Sequence, residues 1–405
     1  MSTPGIVILG AGQAGLQCAA SLREGGYDGA ITLLGAEPYL PYQRPPLSKA
    51  VLLGTQDSVA VTLRDAAWFT DQRIGLRLGV RATGIDRTAR SLATGAGAVA
   101  YDRLVLATGA RARPLSLAGA DLPGVHQLRG LDDALALRTA LAAAASVVVI
   151  GGGFIGLEVA AVAARLGKRV CLLEAGDRLM ARAVSPAISA AFLALHRNAG
   201  TEVLLGARLA AIEGADHVAG VRLVDGTRIE AGLVLLGVGS VPATELAEAA
   251  GLPCPNGVLV DAHMSTADAN VLAIGDVALH PNPHAGGLVR LESVQGAVDQ
   301  AKCAAATLLG RPVAYAALPW FWSDQFDTKL QIAGLARTHD QSVLRGLPES
   351  GRFSVFLYAK RQLVAVESVN RPAEHMQARR LLSAGRNVPP EHAADTLFDL
   401  KGWAA

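Results

Sequence analysis

Cysteine is scarce in this 405-residue chain, and its four cysteines are scattered. Cys18, Cys171, Cys254 and Cys303 form no C-x-x-C pair, which argues against a disulfide framework or a redox-active dithiol and leaves buried, reduced thiols as the reading. Charge is also thin. Only 18% of residues are charged and the formal net charge is +2, so nothing global draws the chain to nucleic acid or an acidic membrane. No apolar run approaches the ~18 residues that a bilayer-spanning helix needs, so no membrane association is expected. The opening Met1-Ser2-Thr3-Pro4-Gly5 lacks a basic segment followed by an apolar one, so no signal peptide is read there and a cytoplasmic location is expected. His280-Pro281-Asn282-Pro283-His284 offers two histidines, but its prolines break the helix that would align them and no third ligand is near. Loop histidines and no metal are expected. No nucleophile-elbow or kinase motif occurs.

What is abundant is apolar side chain (51%) and glycine (44 residues), in a chain too long for one ordinary core. The sequence repeats itself. Residues 6–16 read Ile-Val-Ile-Leu-Gly-Ala-Gly-Gln-Ala-Gly-Leu, and residues 147–157 read Val-Val-Val-Ile-Gly-Gly-Gly-Phe-Ile-Gly-Leu. Each is a buried-strand run, a glycine turn and an alanine-rich helical stretch, closed by a second apolar run at Ile31–Leu34 or Val170–Leu173. Continuous apolar runs predict parallel sheets covered on both faces, with further strands at Leu104–Ala107, Leu233–Leu236 and Val271–Ile274.

In Gly10-x-Gly12-x-x-Gly15 and Gly151-x-Gly153-x-x-Gly156, the first glycine makes the tight turn and the second admits a pyrophosphate. The third lets helix pack on strand. Glu37 and Glu174 stand roughly 20 residues further on, where a carboxylate accepts ribose hydroxyls. Two such sites on one chain point to one held FAD and one exchanging nicotinamide dinucleotide. Leu104–Gly109 would let the chain leave the first domain and Gly237–Pro242, which contains Gly239, would bring it back; Asp276 follows a buried strand and suits a flavin ribityl or pyrophosphate contact. The expected fold is α/β, with two Rossmann-type domains and a carboxy-terminal α+β domain. The FAD domain takes residues 1–112 and 242–318, the inserted NAD domain 113–241, and the last domain 319–405, where the texture changes to alternating strands.

With these motifs in view, the chain resembles the FAD-dependent ferredoxin reductases of bacterial oxygenase systems. These are the putidaredoxin-reductase and biphenyl-dioxygenase-reductase type, related to rubredoxin reductases and apoptosis-inducing factor within the glutathione-reductase-like fold. Arg44-Pro45-Pro46-Leu47-Ser48-Lys49, Phe154-Ile155-Gly156-Leu157-Glu158, Glu292-Ser293-Val294, Pro319 to Gln325 and Asn370-Arg371-Pro372 carry the resemblance almost end to end. It implies that Gly10, Gly12, Ala14, Gly15, Glu37, Arg44, Lys49, Ala82, Ala107, Thr108, Gly109, Arg129, Asp276, Glu292, Val294 and Trp322 surround a tightly but non-covalently held FAD. Gly151, Gly153, Phe154, Ile155, Gly156, Glu158, Glu174 and Gly239 would serve NADH. One departure is Gly35-Ala36-Glu37, where many relatives have Asp directly after the glycine, so Glu37 would act one position later.

Lys49 and Glu158 are the expected catalytic pair. Lys49 closes a segment stiffened by two prolines, and Glu158 is read in the first turn of its helix. Glu174 would repel the 2′-phosphate of NADPH; Arg178 is the nearby base, with Asp177 beside it to neutralise it. Trp320 and Trp322, two apart on one strand face, read as an aromatic wall at a polar rim formed by Ser323, Asp324 and Gln325. The expected acceptor is a 2Fe-2S ferredoxin, docked near Trp320 with Lys302, Arg64 and Lys329 as basic candidates. Rubredoxin, or a non-catalytic role like that of apoptosis-inducing factor, are the alternatives, and the expected state is a monomer or weak dimer.

Overall fold

The computed structural model of the chain describes residues 4–336 and 339–404. They group into two units, one of Met1–Gln43, Val61–Arg111 and Val241–Pro319, the other of Arg44–Ala60, Ala112–Ser240 and Trp320–Ala405. This division differs from the sequence reading in two ways: the expected inserted domain and carboxy-terminal domain fall in one unit, and one segment changes sides. Arg44–Ala60, expected inside the first domain, belongs with the second unit.

The first unit is built on five parallel strands in the order Val271–Ala273, Arg103–Leu106, Ile6–Leu9, Ile31–Leu34, Ile74–Arg77. Val7 lies between Thr32 and Leu104, and every residue of the Ile6–Leu9 strand is buried, as expected for a central strand covered on both faces. Helix Gln13–Glu24 covers one face and packs on helix Val294–Leu308. Gly25 caps the first of these helices and Gly26 turns the chain at φ 88°. An antiparallel meander, Ala82–Asp86, Ser91–Thr94 and Gly97–Ala100, adds Ala82, Leu92 and Val99 to the core of this unit.

The second unit repeats the plan. Its parallel sheet runs Glu202–Leu205, Arg169–Glu174, Ser146–Ile150, Leu233–Leu236, Val125–His126. Helix Phe154–Arg165 crosses between the two strands of the second fingerprint and ends before Gly167, whose φ of 74° only glycine adopts readily. The carboxy-terminal part is an antiparallel sheet in the order Trp320–Gln325, Thr328–Gly334, Gln362–Val369, Arg352–Ala359, Gln341–Leu347, backed by helix Pro372–Ser383. Helix Pro186–Asn198 fastens this sheet to the parallel one at both its ends. The backbone N–H of its cap Ser185 donates to Glu367 at 2.8 Å, and His196 in its last turn meets Gln325 at 2.9 Å. No helix among the described residues is long and apolar enough to cross a membrane.

Candidate functional site: two glycine turns and a lysine–glutamate pair

The two fingerprints have the same local geometry. Gly10 and Gly151 sit at φ 118° and 108°. A methyl group on Gly10 would lie 2.1 Å from the carbonyl oxygen of Ala107, and one on Gly151 would lie 2.4 Å from that of Gly237. The third glycines are pressed onto the first: a methyl on Gly15 would meet the Gly10 oxygen at 1.9 Å and one on Gly156 the Gly151 oxygen at 2.1 Å. The middle glycines are the opposite case. Gly12 and Gly153 cap their helices, and neither has a heavy atom within 4 Å of where a side chain would begin. Neither helix has a side-chain cap or an acidic residue in its first turn. Each turn is therefore an open cradle at the positive end of a helix, which suits a pyrophosphate.

Around the first cradle, Gly275 packs 3.0 Å from Ala14 through its would-be side-chain position, and its N–H donates to Gln300 at 2.7 Å, which brings the Asp276 turn to the start of the helix. Thr108 donates to the Ala243 carbonyl at 2.9 Å, and Gly109 turns the chain at φ 70°. Ala82 opens its strand and is buried, Glu292 accepts from Arg290, and Val294 begins a helix capped by Ser293. Glu37 accepts a hydrogen bond from Tyr42. Arg44, Lys49, Arg129 and Trp322 belong to the second unit. There, Arg44 donates to the Arg129 carbonyl at 2.6 Å, beside a small pocket also lined by Leu47, Ser48 and Ile155.

At the second cradle the two oxygens of Glu174 accept from the N–H groups of Gly152 and Gly176, each at 2.7 Å. Arg178 does not pair with Asp177 as the sequence suggests. Its guanidinium donates to Val184 O, Ser189 Oγ and Ala181 O, and so is tied into its own loop. Arg182, exposed and unremarked in the sequence, lies 3.4 Å from the side-chain position of Gly239.

Pro45–Ser48 folds as a 3-10 turn with Lys49 as its closing residue. The ammonium of Lys49 lies 2.8 Å from Oε2 of Glu158 and donates to Pro45 O at 3.2 Å. Glu158 falls in the second turn of helix Phe154–Arg165 rather than the first, and is buried. Three groups that sequence reasoning missed complete its surroundings. Ser48 donates to Oε2, Ser323 donates to Oε1 at 2.7 Å, and Gln325 donates to Ser323 at 3.2 Å. The polar rim beside the tryptophans is therefore wrong at two of its three residues: Ser323 and Gln325 are wholly buried, and only Asp324 shares the partly exposed face. Strand alternation carried a hint of this, since every second residue of Trp320–Gln325 must turn inward.

Trp320 and Trp322 stack with centroids 5.6 Å apart, and the Arg379 guanidinium sits 4.4 Å over the Trp320 ring. Lys329, offered as a docking base, is paired with Asp324 at 3.4 Å. Arg64 is exposed over the Trp68 ring, and Lys302 is exposed on helix Val294–Leu308. His280 is not a loop histidine. It lies buried on the strand Ala278–Asn282, where burial pulls its pKa down to about 4. No cluster of three or more His, Cys, Asp or Glu placed to hold a metal occurs among the described residues.

Residues 4–301 match the pyridine nucleotide-disulphide oxidoreductase family, and residues 320–404 match the reductase carboxy-terminal family. The chain belongs to the pyridine nucleotide-disulphide oxidoreductases. Rhodocoxin reductase of Rhodococcus erythropolis is 50% identical over 98% of this chain and 93% of its own. The crystal structure of the ferredoxin reductase for the CYP199A2 system from Rhodopseudomonas palustris has a TM-score of 0.97 at 46% identity, covering 100% of both chains. Putidaredoxin reductase in its covalent complex with putidaredoxin gives 0.96 at 38%, over 99% of this chain and 98% of the other. The family implies FAD and a nicotinamide dinucleotide. Its disulphide chemistry has no counterpart here. All four thiols are free, and burial pushes Cys18 and Cys171 up to about 12 and Cys254 and Cys303 up to about 11.

Proposed function

We propose that the chain is an NADH-dependent ferredoxin reductase, which takes hydride from NADH and passes single electrons to a 2Fe-2S ferredoxin serving a haem-thiolate monooxygenase or Rieske dioxygenase. The observation that carries this reading is the Lys49–Glu158 pair at 2.8 Å, in a chain with no positioned thiol. A disulfide- or peroxide-reducing flavoenzyme would need a reactive cysteine. The names and likeness of the similar proteins support the acceptor class.

FAD, when bound, supplies a hydride acceptor that can release its electrons one at a time. Gly10, Gly12, Ala14 and Gly15 present the open cradle for its pyrophosphate, with Asp276 beside them and Glu37 toward the ribose. Ala82, Ala107, Thr108, Gly109, Glu292, Val294, Arg44, Lys49, Arg129 and Trp322 keep the flavin assignment of the sequence reading. Gly151, Gly153, Phe154, Ile155, Gly156 and Gly239 serve NADH, and each Glu174 oxygen has a second lone pair for an adenosine-ribose hydroxyl. Lys49 holds a fixed positive charge, braced by Glu158 and the Pro45 carbonyl, for negative charge that develops during hydride transfer. The chain works as a monomer or weak dimer in the cytoplasm, with FAD held tightly and without a covalent link, on three domains of residues 1–112 with 242–318, 113–241 and 319–405, save that Arg44–Ala60 groups with the second. The test is steady-state NADH oxidation with a 2Fe-2S ferredoxin and with a rubredoxin as acceptors. Rapid ferredoxin turnover is expected. Efficient turnover with rubredoxin alone would reassign the acceptor, and a slow, long-lived flavin–nicotinamide complex with neither would favour a non-catalytic role.

A further inference from the structure

Glu158 is held by a chain of hydrogen bonds that runs away from Lys49 into the carboxy-terminal sheet. An ionised carboxylate only accepts, so Ser323 spends its one proton on Oε1 of Glu158, at 2.7 Å. The Ser323 oxygen must then accept from an amide N–H, which places Nε2 of Gln325 toward it at 3.2 Å and Oε1 of Gln325 toward His196 at 2.9 Å. His196 must in turn donate through Nε2. One tautomer and one amide orientation satisfy the whole chain, and every donor points toward Glu158. Burial lowers the pKa of His196 and favours its neutral form, and its Nδ1 has no partner among the described residues, so no acceptor there draws the proton away from Nε2. Ser323, Gln325 and His196 are all completely buried.

The chain bears on orientation. Lys49 and Ser48 both engage Oε2. The terminal torsion of a glutamate is broad, so two partners on one oxygen leave the carboxylate plane free to swing about that oxygen. Ser323 supplies the described contact on the other oxygen and stops the swing.

We propose that Ser323, set by Gln325 and His196, is a positioning residue that fixes the Glu158 carboxylate for Lys49. The inference rests on the reading of Lys49 and Glu158 as the hydride-transfer pair. Because Ser323 shares a strand with Trp320 and Trp322, one element carries both the aromatic face and the brace of the pair.

Two measurements test it. In anaerobic stopped-flow reduction of the FAD-loaded enzyme at saturating NADH, Ser323→Ala should slow the flavin by roughly tenfold or more, since small misplacements can cost up to about 100-fold. NADH affinity should be unchanged, Ser323→Thr should restore the rate, and Ser323→Ala should add nothing in a Glu158→Ala background. Parent-rate reduction by Ser323→Ala while Glu158→Ala is slow, or the same slowing with and without Glu158, overturns the inference alone. Parent-rate reduction by Glu158→Ala overturns the pair and the inference together. Separately, ¹⁵N NMR of the unmodified protein, assigned by comparison with His196→Asn, should show His196 protonated on Nε2 and not on Nδ1. The opposite tautomer reverses the donor chain and overturns the proposal whatever the variants do.

Discussion

Glu367 on the strand Gln362–Val369 accepts the backbone N–H of Ser185 at 2.8 Å through one oxygen, while its other oxygen is buried without a partner among the described residues. Burial raises its pKa to about 7, against weaker opposing pulls from Ser185, His339 and Arg178. Its unfolded value is near 4.5. The folded state therefore holds a proton that the unfolded state has lost between those values. Stability from this group is full below about pH 4.5, falls as pH rises toward about 7, and is flat beyond, a loss of roughly 3 kcal/mol. Glu367→Gln should unfold at a higher urea midpoint than the parent at pH 8 and close to it at pH 4.5. Equal midpoints at pH 8 would show that burial does not raise the pKa of this carboxyl.

Lys49→Ala should keep its yellow FAD, because the cradle glycines are elsewhere, and Glu158 keeps its bonds to Ser48 and Ser323. Reduction by NADH should slow by on the order of 100-fold, the usual effect of removing one fixed charge-stabilising donor. Stopped-flow absorbance and a flavin potential measured by dye equilibration check this. A parent-like rate would make the Lys49–Glu158 pair structural and remove Lys49 from hydride transfer.

Coenzyme preference should favour NADH because Glu174 opposes a 2′-phosphate and Arg178 is tied to loop acceptors. Glu174→Gln should narrow the preference in kcat/KM with FAD content unchanged. Glu174→Ala should also loosen the turn, since the N–H groups of Gly152 and Gly176 lose their acceptor, at about 1–3 kcal/mol for each that stays buried. Equal efficiencies with NADH and NADPH in the parent would sink the assignment.

Ferredoxin reduction should slow with salt, since at ~0.15 M the screening length is about 8 Å. Lys302→Glu should raise KM for ferredoxin and leave NADH-to-ferricyanide turnover unchanged. Arg379→Glu, at the ring of Trp320, should do the same, whereas Lys329→Glu should do less because Asp324 already neutralises that lysine. Salt-independent kinetics with silent Lys302→Glu and Arg379→Glu variants would leave a mainly apolar contact.

The fold was legible because its signals are local. A strand, a three-glycine turn and a helix, written twice, announce both parallel sheets, and the carbonyl contacts of Gly15 and Gly156 show why no other residue fits there. The site was legible only in its ends. Lys49 and Glu158 stand in recognisable segments, but Ser323 and Gln325 follow two tryptophans and read as a wet rim, because polar side chains usually face water. Their partners Glu158 and His196 are remote in sequence, so only the strand alternation hints nearby that the pair is buried. Arg178 misled for the same reason: its neighbour Asp177 was visible, while the carbonyls that hold it were not.

The raised pKa values of the four thiols, three of them buried and Cys254 half-buried, have a practical consequence. Oxidants attack the thiolate, and groups with pKa values of about 11 to 12 expose almost none of it at neutral pH. The chain would thus present peroxide with no reactive thiolate, leaving the exposed Met376 thioether as the more accessible sulfur, and its stocks should tolerate storage without added thiol reductant. The same silence makes the chain a clean host for labelling: a single cysteine introduced on an exposed face should take up a maleimide dye alone, giving a site-specific reporter without first removing any native residue.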